Sequence, residues 1–265
     1  MRKRAGFGCV MCGAAVYQYE HFDPVFAEAC EHSADGITLL CGSHHDEKTR
    51  GLISIDTIRH AAAKPRALSD GFAKGSFYLE GPPKVTLASW TFINTQSIVR
   101  AFDTDILAVK PPEFDGGPFR ISGIFEDRAQ NRLLEIIENE WRGDSKIYDI
   151  TTEANKICIR RKPREIALLL EVHPPRAIIV ARFEMFFRGA HIEGNQTRLT
   201  VRTPGGQEFQ SQGGGEVDTA MIGFAIGPNE IGVGTCARGV YLEKAVAIPE
   251  RRGAGRPNPA AANDP

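Results

Sequence analysis

Four residues near the N-terminus have the types and the spacing of a zinc site. Cys9 and Cys12 are separated by two residues, and Cys41 and His44 repeat that gap with an imidazole in the last position. Two such pairs in one short segment are typical of tetrahedral Zn²⁺ bound by three thiolates and one histidine. Because four protein ligands would close the coordination sphere, we expect a structural zinc that stabilises a segment too short for a large core.

Three other assignments of these cysteines and histidines remain open in the sequence. His45 also falls within the ligand gaps that zinc tolerates, although choosing His44 keeps the two-residue gap and leaves His45 for another role. Cys30 lies between the two pairs and is an alternative ligand, but a small buried side chain is the commoner fate of a single cysteine. In an exported protein the cysteines would instead form disulfides, whereas a reducing compartment favours metal binding.

A carboxylate and an imidazole stand side by side between the two ligand pairs. Glu20 and His21 precede Phe22, Asp23 and Pro24, and the proline ends what reads as an extended run. Adjacent residues of a strand point to opposite faces, so the two side chains can serve different roles. Such a pair is usually only solvated surface, but its position between zinc-ligand pairs predicts a second site.

The N-terminal segment as a whole resembles the HNH (ββα-metal) endonucleases. In that family two strands carry an acidic–histidine pair, and a helix that follows a Leu-Leu-Cys run carries the last histidine. Here the pair is Glu20 and His21, and residues 39–45 read LLCGSHH. The resemblance covers about residues 5–64, roughly a quarter of the chain. It implies a small zinc-bound ββα-metal domain, which we place at residues 1–66.

The same resemblance implies the roles of three residues. Glu20 and His45 would ligate one divalent ion of the Mg²⁺ class, and His21 would be the general base that takes a proton from the attacking water. The ion would polarise the scissile phosphate and stabilise the leaving 3′-oxygen. The implied activity is phosphodiester hydrolysis by an endonuclease or nickase, with nucleic acid, in the first place DNA, as the partner.

One position departs from the pattern of the family. The middle residue of the motif, an Asn or a His, normally stands just before the apolar run, where this chain has Asp35, Gly36 and Ile37. Gly36 has no side chain to take that role, and the sequence does not decide whether Asp35 or His32 replaces it. The rival interpretation is therefore a non-catalytic zinc-finger module of the same fold that binds nucleic acid or protein.

Basic residues follow the last histidine of the motif. Lys48 and Arg50 lie one turn beyond His45 in a helix predicted over residues 43–63, where apolar residues recur with a 3.6-residue period and which Pro65 ends. Both side chains would lie near a phosphate held at the second site. A solvated helix face explains them equally well.

From Gly75 onward, short apolar or alternating runs are separated by turn-forming Gly, Pro and Asp residues. They predict a mostly-β domain over residues 75–249, either a sandwich or a solenoid, which makes the chain α+β. No fixed repeat distinguishes the two architectures. The clearest predicted strands are residues 85–93, 106–109, 119–125, 133–137, 157–160, 166–172, 178–186 and 199–201.

Two features of the β region could serve a nucleic-acid substrate. Residues 160–164 form a basic turn, although such turns are usually only solvated. Several aromatic side chains could stack on bases, although most aromatics of β domains belong to the core. These aromatic residues are Trp90, Trp141, Tyr148, Phe183, Phe186 and Phe187. Binding of another partner, or assembly, is the alternative role, and no residue gives it positive support.

Composition limits these expectations. The 265 residues carry a formal net charge of −1, and the first 70 hold 8 basic against 9 acidic residues, so phosphate binding must depend on a local patch or a metal. Because no apolar stretch reaches the roughly 18 residues that span a bilayer, and no signal-type core follows the N-terminus, we expect a cytoplasmic protein without a membrane partner. Residues 250–265 offer little to bury and are predicted to be a disordered tail.

Overall fold

The computed structural model describes residues 1–24 and 33–235. Cys30, His32 and the predicted tail over residues 250–265 lie outside the described residues, as does the end of the predicted β domain, residues 236–249. In the described part, the protein is mostly β, and its short helices all lie within the first 70 residues. The predicted α+β composition, with helices at the N-terminus and strands after it, is confirmed at this level.

The N-terminal segment contains a two-stranded hairpin followed by short helices. In chain order its elements are a 3-10 helix (Arg2–Ala5), β1 (Gln18–His21), β2 (Ile37–Leu40), α1 (Gly42–Thr49), α2 (Ile55–Ala63) and α3 (Arg66–Asp70). Strands β1 and β2 pair antiparallel, with Glu20 opposite Thr38 and His21 opposite Ile37. Helix α1 begins directly after β2, with Cys41 as its N-cap. The hairpin and α1 therefore bring the residues of both predicted sites together.

The single helix predicted over residues 43–63 is wrong, because the chain forms two helices there. Gly51 adopts a left-handed φ of 75°, which a glycine accepts without steric cost and which ends the first helix. Ser54 then caps the second helix, since its side-chain oxygen accepts a hydrogen bond from the backbone N–H of Thr57 at 3.1 Å. The apolar period continues across this break, which is why the sequence reads as one helix.

The strands after residue 71 form two large sheets. The first sheet has eight strands: β3 (Phe72–Ser76), β6 (Ser97–Ala101), β7 (Thr104–Lys110), β8 (Arg120–Glu126), β9 (Arg132–Ile137), β10 (Glu140–Asp144), β19 (Ile222–Ile226) and β20 (Ile231–Thr235). The second sheet has ten strands: β4 (Lys84–Leu87), β5 (Trp90–Ile93), β11 (Asp149–Glu153), β12 (Lys156–Lys162), β13 (Glu165–His173), β14 (Ala177–Phe187), β15 (Ala190–Asn195), β16 (Arg198–Arg202), β17 (Glu208–Gln212) and β18 (Gly215–Asp218).

Most neighbouring strands in both sheets are antiparallel hairpins. The second sheet runs in the order β11 to β17 along the chain, and the first places β6 to β10 side by side. Parallel pairing occurs where β4 joins β14, β18 joins β5 and β19 joins β6. Buried residues of both sheets belong to one hydrophobic cluster. Hairpin pairing within two sheets that share a core favours the sandwich over the solenoid.

A second, much smaller apolar cluster lies in the N-terminal segment, and its buried members are Ala5, Cys9, Val10, Leu39, Leu40 and Ile58. Backbone bonds join this segment to the β region: the N–H of Ala15 donates to the carbonyl of Lys74 at 2.8 Å, and the N–H of Lys74 donates to that of Gly13 at 3.0 Å. Phe7 is buried in the larger core. The N-terminal segment is therefore attached along one side to the β region.

Candidate metal centre

The turn that carries Cys9 and Cys12 is held by its own backbone. The N–H of Gly13 donates to the carbonyl of Cys9 at 2.7 Å, and the N–H of Cys9 donates to the carbonyl of Ala14 at 2.8 Å. The N–H of Val10 donates to the carbonyl of Leu39 at 2.9 Å, which ties the turn to β2. These bonds aim two sulfur atoms at the start of α1.

The other two ligand-type residues stand at that helix start. Cys41 is the N-cap of α1, and the N–H of His45 donates to its carbonyl at 2.9 Å as the first helical bond. His44 lies in the first turn, so Cys41 and His44 approach Cys9 and Cys12 from the opposite side. The positive end of the helix dipole also favours thiolate at this position.

Distances within the four-residue group fit tetrahedral zinc. Cys12 Sγ and Cys41 Sγ are 3.8 Å apart, and His44 Nδ1 is 3.2 Å from Cys41 Sγ and 3.4 Å from Cys9 Sγ. Zinc with bonds of about 2.3 Å to sulfur and 2.0 Å to nitrogen requires about 3.8 Å between sulfurs and about 3.5 Å between sulfur and nitrogen. All four ligand atoms lie within 4.8 Å of one another. The group can hold a zinc ion, and His44 rather than His45 completes it.

Burial makes a cation important for these thiols. Cys9 is completely buried, and burial raises the pKa of its thiol to about 12 despite backbone groups of Cys41, Cys12 and Met11 that lower it. Burial also raises the pKa of Cys12. At neutral pH such thiols become thiolates only beside a compensating positive charge, which a divalent metal supplies. The donor set therefore matches a structural metal better than a group of reactive cysteines.

The second predicted site contains a buried carboxylate. The Glu20 side chain is 6% exposed, with Oε2 at 3.1 Å from His45 Nε2 and Oε1 at 2.7 Å from Lys48 Nζ. A carboxylate so far removed from water requires partners of this kind. The structure thus brings Glu20 and His45 together, as the resemblance implied, and adds Lys48 to them.

His21 takes a different position. It follows Glu20 on β1, so its side chain points to the other face of the hairpin. In the described part of the chain, His21 belongs to no group of three or more ligand-type residues whose ligand atoms lie within 4.8 Å of one another. Its role as a general base stays a prediction.

Gly36 is fixed by a close backbone approach. A β-carbon at this position would lie 2.0 Å from the carbonyl oxygen of Asp23, and the N–H of Phe22 donates to the carbonyl of Gly36 at 2.9 Å. No side chain fits here without moving the chain, which explains why this position cannot carry an Asn or a His. Asp35 has an exposed carboxylate that pairs with Arg4 at 2.7 Å. That it replaces the middle residue stays a prediction.

Most of the other predicted phosphate contacts are neutralised by acidic partners. Arg50 pairs with Asp46 on the surface of α1. In the basic turn, Arg160 lies 3.3 Å from Asp149, Lys162 lies 2.9 Å from Glu165, and Arg161 pairs with Glu184. Arg160, Arg161 and Lys162 thus form ion pairs across strands, whereas Arg164 is exposed in the turn. Phosphate binding by residues 160–164 stays a prediction.

The aromatic candidates divide between core and surface. Trp90, Trp141 and Phe183 are buried in the large core, and Trp90 makes edge contacts with Phe209 and Phe224. Phe186 is stacked on His191 at 4.3 Å between ring centroids. Tyr148 is 44% exposed, in the turn that precedes β11. Among these six residues, Tyr148 alone is exposed, and its stacking on bases stays a prediction.

A second ligand-type group, Glu184, His191 and Glu193, lies on β14 and β15. Arg202 Nη1 is 3.3 Å from His191 Nδ1, and a guanidinium only donates, so the neutral imidazole carries its proton on Nε2, towards Glu184 at 3.4 Å. Burial lowers the pKa of His191 although Glu193 and Glu184 raise it, which favours the neutral ring. Because Nδ1 faces Arg202 and Nε2 faces Glu184, this group is better described as an ion-pair network than as a metal site.

Comparison with known proteins gives no match: no protein-family model, no curated protein and no solved structure corresponds to the chain. The resemblance to HNH endonucleases therefore rests on the residues of the N-terminal segment and on their geometry. In the described residues, none of the helices is long and apolar enough to cross a membrane.

Proposed function

We propose that this protein is an HNH-type endonuclease or nickase that hydrolyses phosphodiester bonds in DNA, with a structural zinc at Cys9, Cys12, Cys41 and His44. The observation that carries the proposal is the contact between Glu20 on β1 and His45 on α1, at 3.1 Å, beside the zinc-type residues Cys41 and His44 at the start of the same helix. A structural metal would fix β2 against α1, and so fix the second site. The β region would contribute to recognition of the substrate.

Each residue of the second site has a chemical task in this proposal. Glu20 Oε2 and His45 Nε2 would hold a divalent ion, Mg²⁺ or a similar metal, which supplies Lewis-acid polarisation of the phosphate and stabilises the leaving oxygen. His21 would accept a proton from water as the water oxygen attacks phosphorus, and the bond to the 3′-oxygen would break. The imidazolium would return its proton to solvent after each turnover.

Lys48 is the second ion-pair partner of Glu20, and its contact with Glu20 would change when a metal binds. Its ammonium lies 2.7 Å from Glu20 Oε1 and neutralises the carboxylate, whose other oxygen contacts His45. A bound divalent ion would take over part of that task, and Lys48, a long side chain on α1, could then contact the substrate phosphate. Lys48 would thus bind phosphate only when the second site is occupied.

The rival function, a non-catalytic zinc module, has one specific observation in its favour. Gly36 is required by the close approach of the Asp23 carbonyl, so the middle residue of the HNH motif has no side chain. In the rival proposal Glu20, His45 and Lys48 are only a buried ion-pair cluster that supports the hairpin. The two proposals differ in whether the protein cleaves DNA, and they agree on the zinc.

Incubation with supercoiled plasmid tests the proposal, in the presence of Mg²⁺, Mn²⁺ or Ni²⁺. We expect nicked or linear product from the unmodified protein, and rates reduced by about 10²- to 10⁴-fold in His21→Ala and Glu20→Gln. Glu47→Gln is the matched control, because Glu47 lies on the same helix α1 but bonds to Ser43 at its exposed surface. Zinc content of each variant separates loss of chemistry from loss of folding.

Two results would contradict this proposal. Equal cleavage by the unmodified protein and His21→Ala would remove His21 from the mechanism. Absence of cleavage with all three metals, in a protein that retains its zinc, would favour the non-catalytic module.

A further inference from the structure

A cavity of about 640 Å³ lies where the N-terminal segment meets the β region. It is lined by Met1, Arg2, Lys3, Tyr19, Ile37, Tyr148 and Asp149. Its volume is in the range of sites that bind small molecules, about 300–1,000 Å³. Residues so far apart in sequence meet because Arg2 Nη2 pairs with Asp149 Oδ2 at 2.9 Å. The cavity is thus built by the junction of the two regions.

Two tyrosines face this cavity with large exposed areas. Tyr19 on β1 is 52% exposed and Tyr148, before β11, is 44% exposed. Tyr17 contacts Tyr19 edge-on at 5.8 Å between centroids, which supports the Tyr19 ring from the protein side. Exposed aromatic rings in the lining of one cavity are typical of sites that stack on flat ligands.

The charge of the cavity favours an anion. Its lining contains two cations, Arg2 and Lys3, and one carboxylate, Asp149. Asp149 is already paired with Arg2 and with Arg160, at 2.9 and 3.3 Å. Lys3 is exposed and has no ion pair within the described ranges. A phosphate beside Lys3 and Arg2 would therefore meet net positive charge.

The cavity also lies on the side of the hairpin that carries the proposed base. Tyr19 and His21 are two residues apart on β1 and so share a face, about 7 Å apart along the strand. Ile37, which lines the cavity, is the cross-strand partner of His21 and lies on that face as well. One bound strand could reach both the cavity and His21.

We infer that this cavity binds an unpaired nucleotide of a nucleic-acid strand, with the base stacked on Tyr19 and Tyr148 and the phosphate beside Lys3 and Arg2. The inference rests on the proposed function and narrows its substrate class. A base can stack on these tyrosine rings only when it is not paired and stacked in a duplex. The preferred substrate is then a strand with unpaired bases, such as a single strand or a flap, and not continuous duplex.

The test is fluorescence anisotropy of the full-length zinc-loaded protein with a labelled 12-nucleotide single-stranded DNA, without added Mg²⁺. Binding of the same sequence is also measured as a DNA duplex and as a single-stranded RNA. We expect single strands to bind at least about tenfold more tightly than duplex. Tyr148→Ala should weaken single-strand binding about tenfold or more, because each stacked base contributes strongly to affinity.

Matched variants identify the role of the ring. Tyr148→Phe keeps the stacking surface and should bind within about twofold of the unmodified protein. Tyr78→Ala removes a tyrosine that is 78% exposed but does not line the cavity, and should leave binding unchanged. Lys3→Ala should weaken binding and flatten its dependence on salt, because one phosphate contact is lost. A thermal melt of each variant shows that it is folded.

Failure of this inference can be distinguished from failure of the proposed function. Equal single-strand affinity of Tyr148→Ala and the unmodified protein, or equal affinity for duplex and single strand, would overturn the inference even if the plasmid is cleaved. Tenfold weaker binding by Tyr148→Ala would support it even if no divalent ion ever produces cleavage. RNA bound more tightly than DNA would support the cavity and change the substrate to RNA.

Discussion

The small cluster beside the zinc-type residues has six buried apolar members, whereas the core shared by the two large sheets has 41 among the described residues. Cys9 itself is one of the six. Six residues bury too little apolar surface to offset the conformational entropy of about 60 residues. The β region can be stable through its own core, while the N-terminal segment needs other contributions: a metal, and its attachment to the β region.

The largest expected effect comes from removal of a zinc ligand. We predict that Cys12→Ser loses bound zinc and protection from hydrogen exchange across residues 1–24 and 33–64, because the metal's binding free energy is folding free energy for this segment. Strands β13 and β14 should keep their protection. Zinc analysis and hydrogen–deuterium exchange with mass spectrometry measure both.

The control for this prediction is Cys158→Ser. Cys158 is a buried free cysteine on β12, outside the zinc-type group. We expect it to destabilise the β region slightly and to leave zinc content at one per chain. Two results would contradict the claim that only the N-terminal segment depends on zinc: both variants keep zinc, or Cys12→Ser unfolds both regions in a single transition.

A smaller effect is expected within the N-terminal segment, where two adjacent histidines serve different sites. His44→Ala should reduce zinc affinity by about 100-fold or more, since it removes a ligand. His45→Ala should keep zinc, because His45 Nε2 faces Glu20. Competition for zinc with a chromogenic chelator measures both affinities. If His45→Ala weakened zinc binding and His44→Ala did not, His45 would be the zinc ligand, an assignment that the sequence alone left open.

The smallest effect is expected in the β region, where charge contributes little. Burial raises the pKa of Glu184, but the hydrogen bond and charge of Arg161 outweigh burial, so its pKa lies below the ordinary value. Its stabilisation is therefore present above the unfolded-state pKa of about 4.3 and lost as pH falls through the lower folded-state pKa. Glu184→Gln should reduce the free energy of unfolding by up to about 1 kcal/mol at pH 7 and by almost nothing near pH 3.

Denaturant unfolding at both pH values measures this difference, with the exposed Glu216→Gln as the control for a charge outside the network. A loss in Glu184→Gln that is equally large at pH 3 would show that packing, and not charge, is responsible.

Local pattern made much of the molecule predictable. The Cys9–Cys12 pair lies in a short turn and the Cys41–His44 pair at a helix start, so each two-residue gap brings two ligand-type side chains together. The predicted strands lie in observed strands with two exceptions. Phe119 lies one residue before β8, and residues 85–93 are two strands, because Ala88 adopts a φ of 57° in a tight turn. Strands such as β17 escaped prediction because Glu208–Gln212 contains a single apolar residue.

Contacts between distant residues could not be predicted in the same way. Arg2 and Asp149 meet across 147 positions, and the cavity they form has no motif. The ion pairs of Arg160 and Arg161 had no local signal, because their acidic partners, Asp149 and Glu184, lie on other strands. The need for Gly36 depends on the Asp23 carbonyl, whose approach no spacing rule describes. Such features follow from tertiary packing, and the sequence pattern records only the local part of it.

The zinc K-edge X-ray absorption spectrum of the purified protein tests most directly whether Cys9, Cys12, Cys41 and His44 anchor the N-terminal segment. We predict one zinc per chain, with three sulfur ligands at about 2.3 Å and one imidazole nitrogen at about 2.0 Å. A spectrum of four sulfur ligands would assign Cys30 in place of His44. A protein that is folded over its first 64 residues without bound zinc would contradict the account.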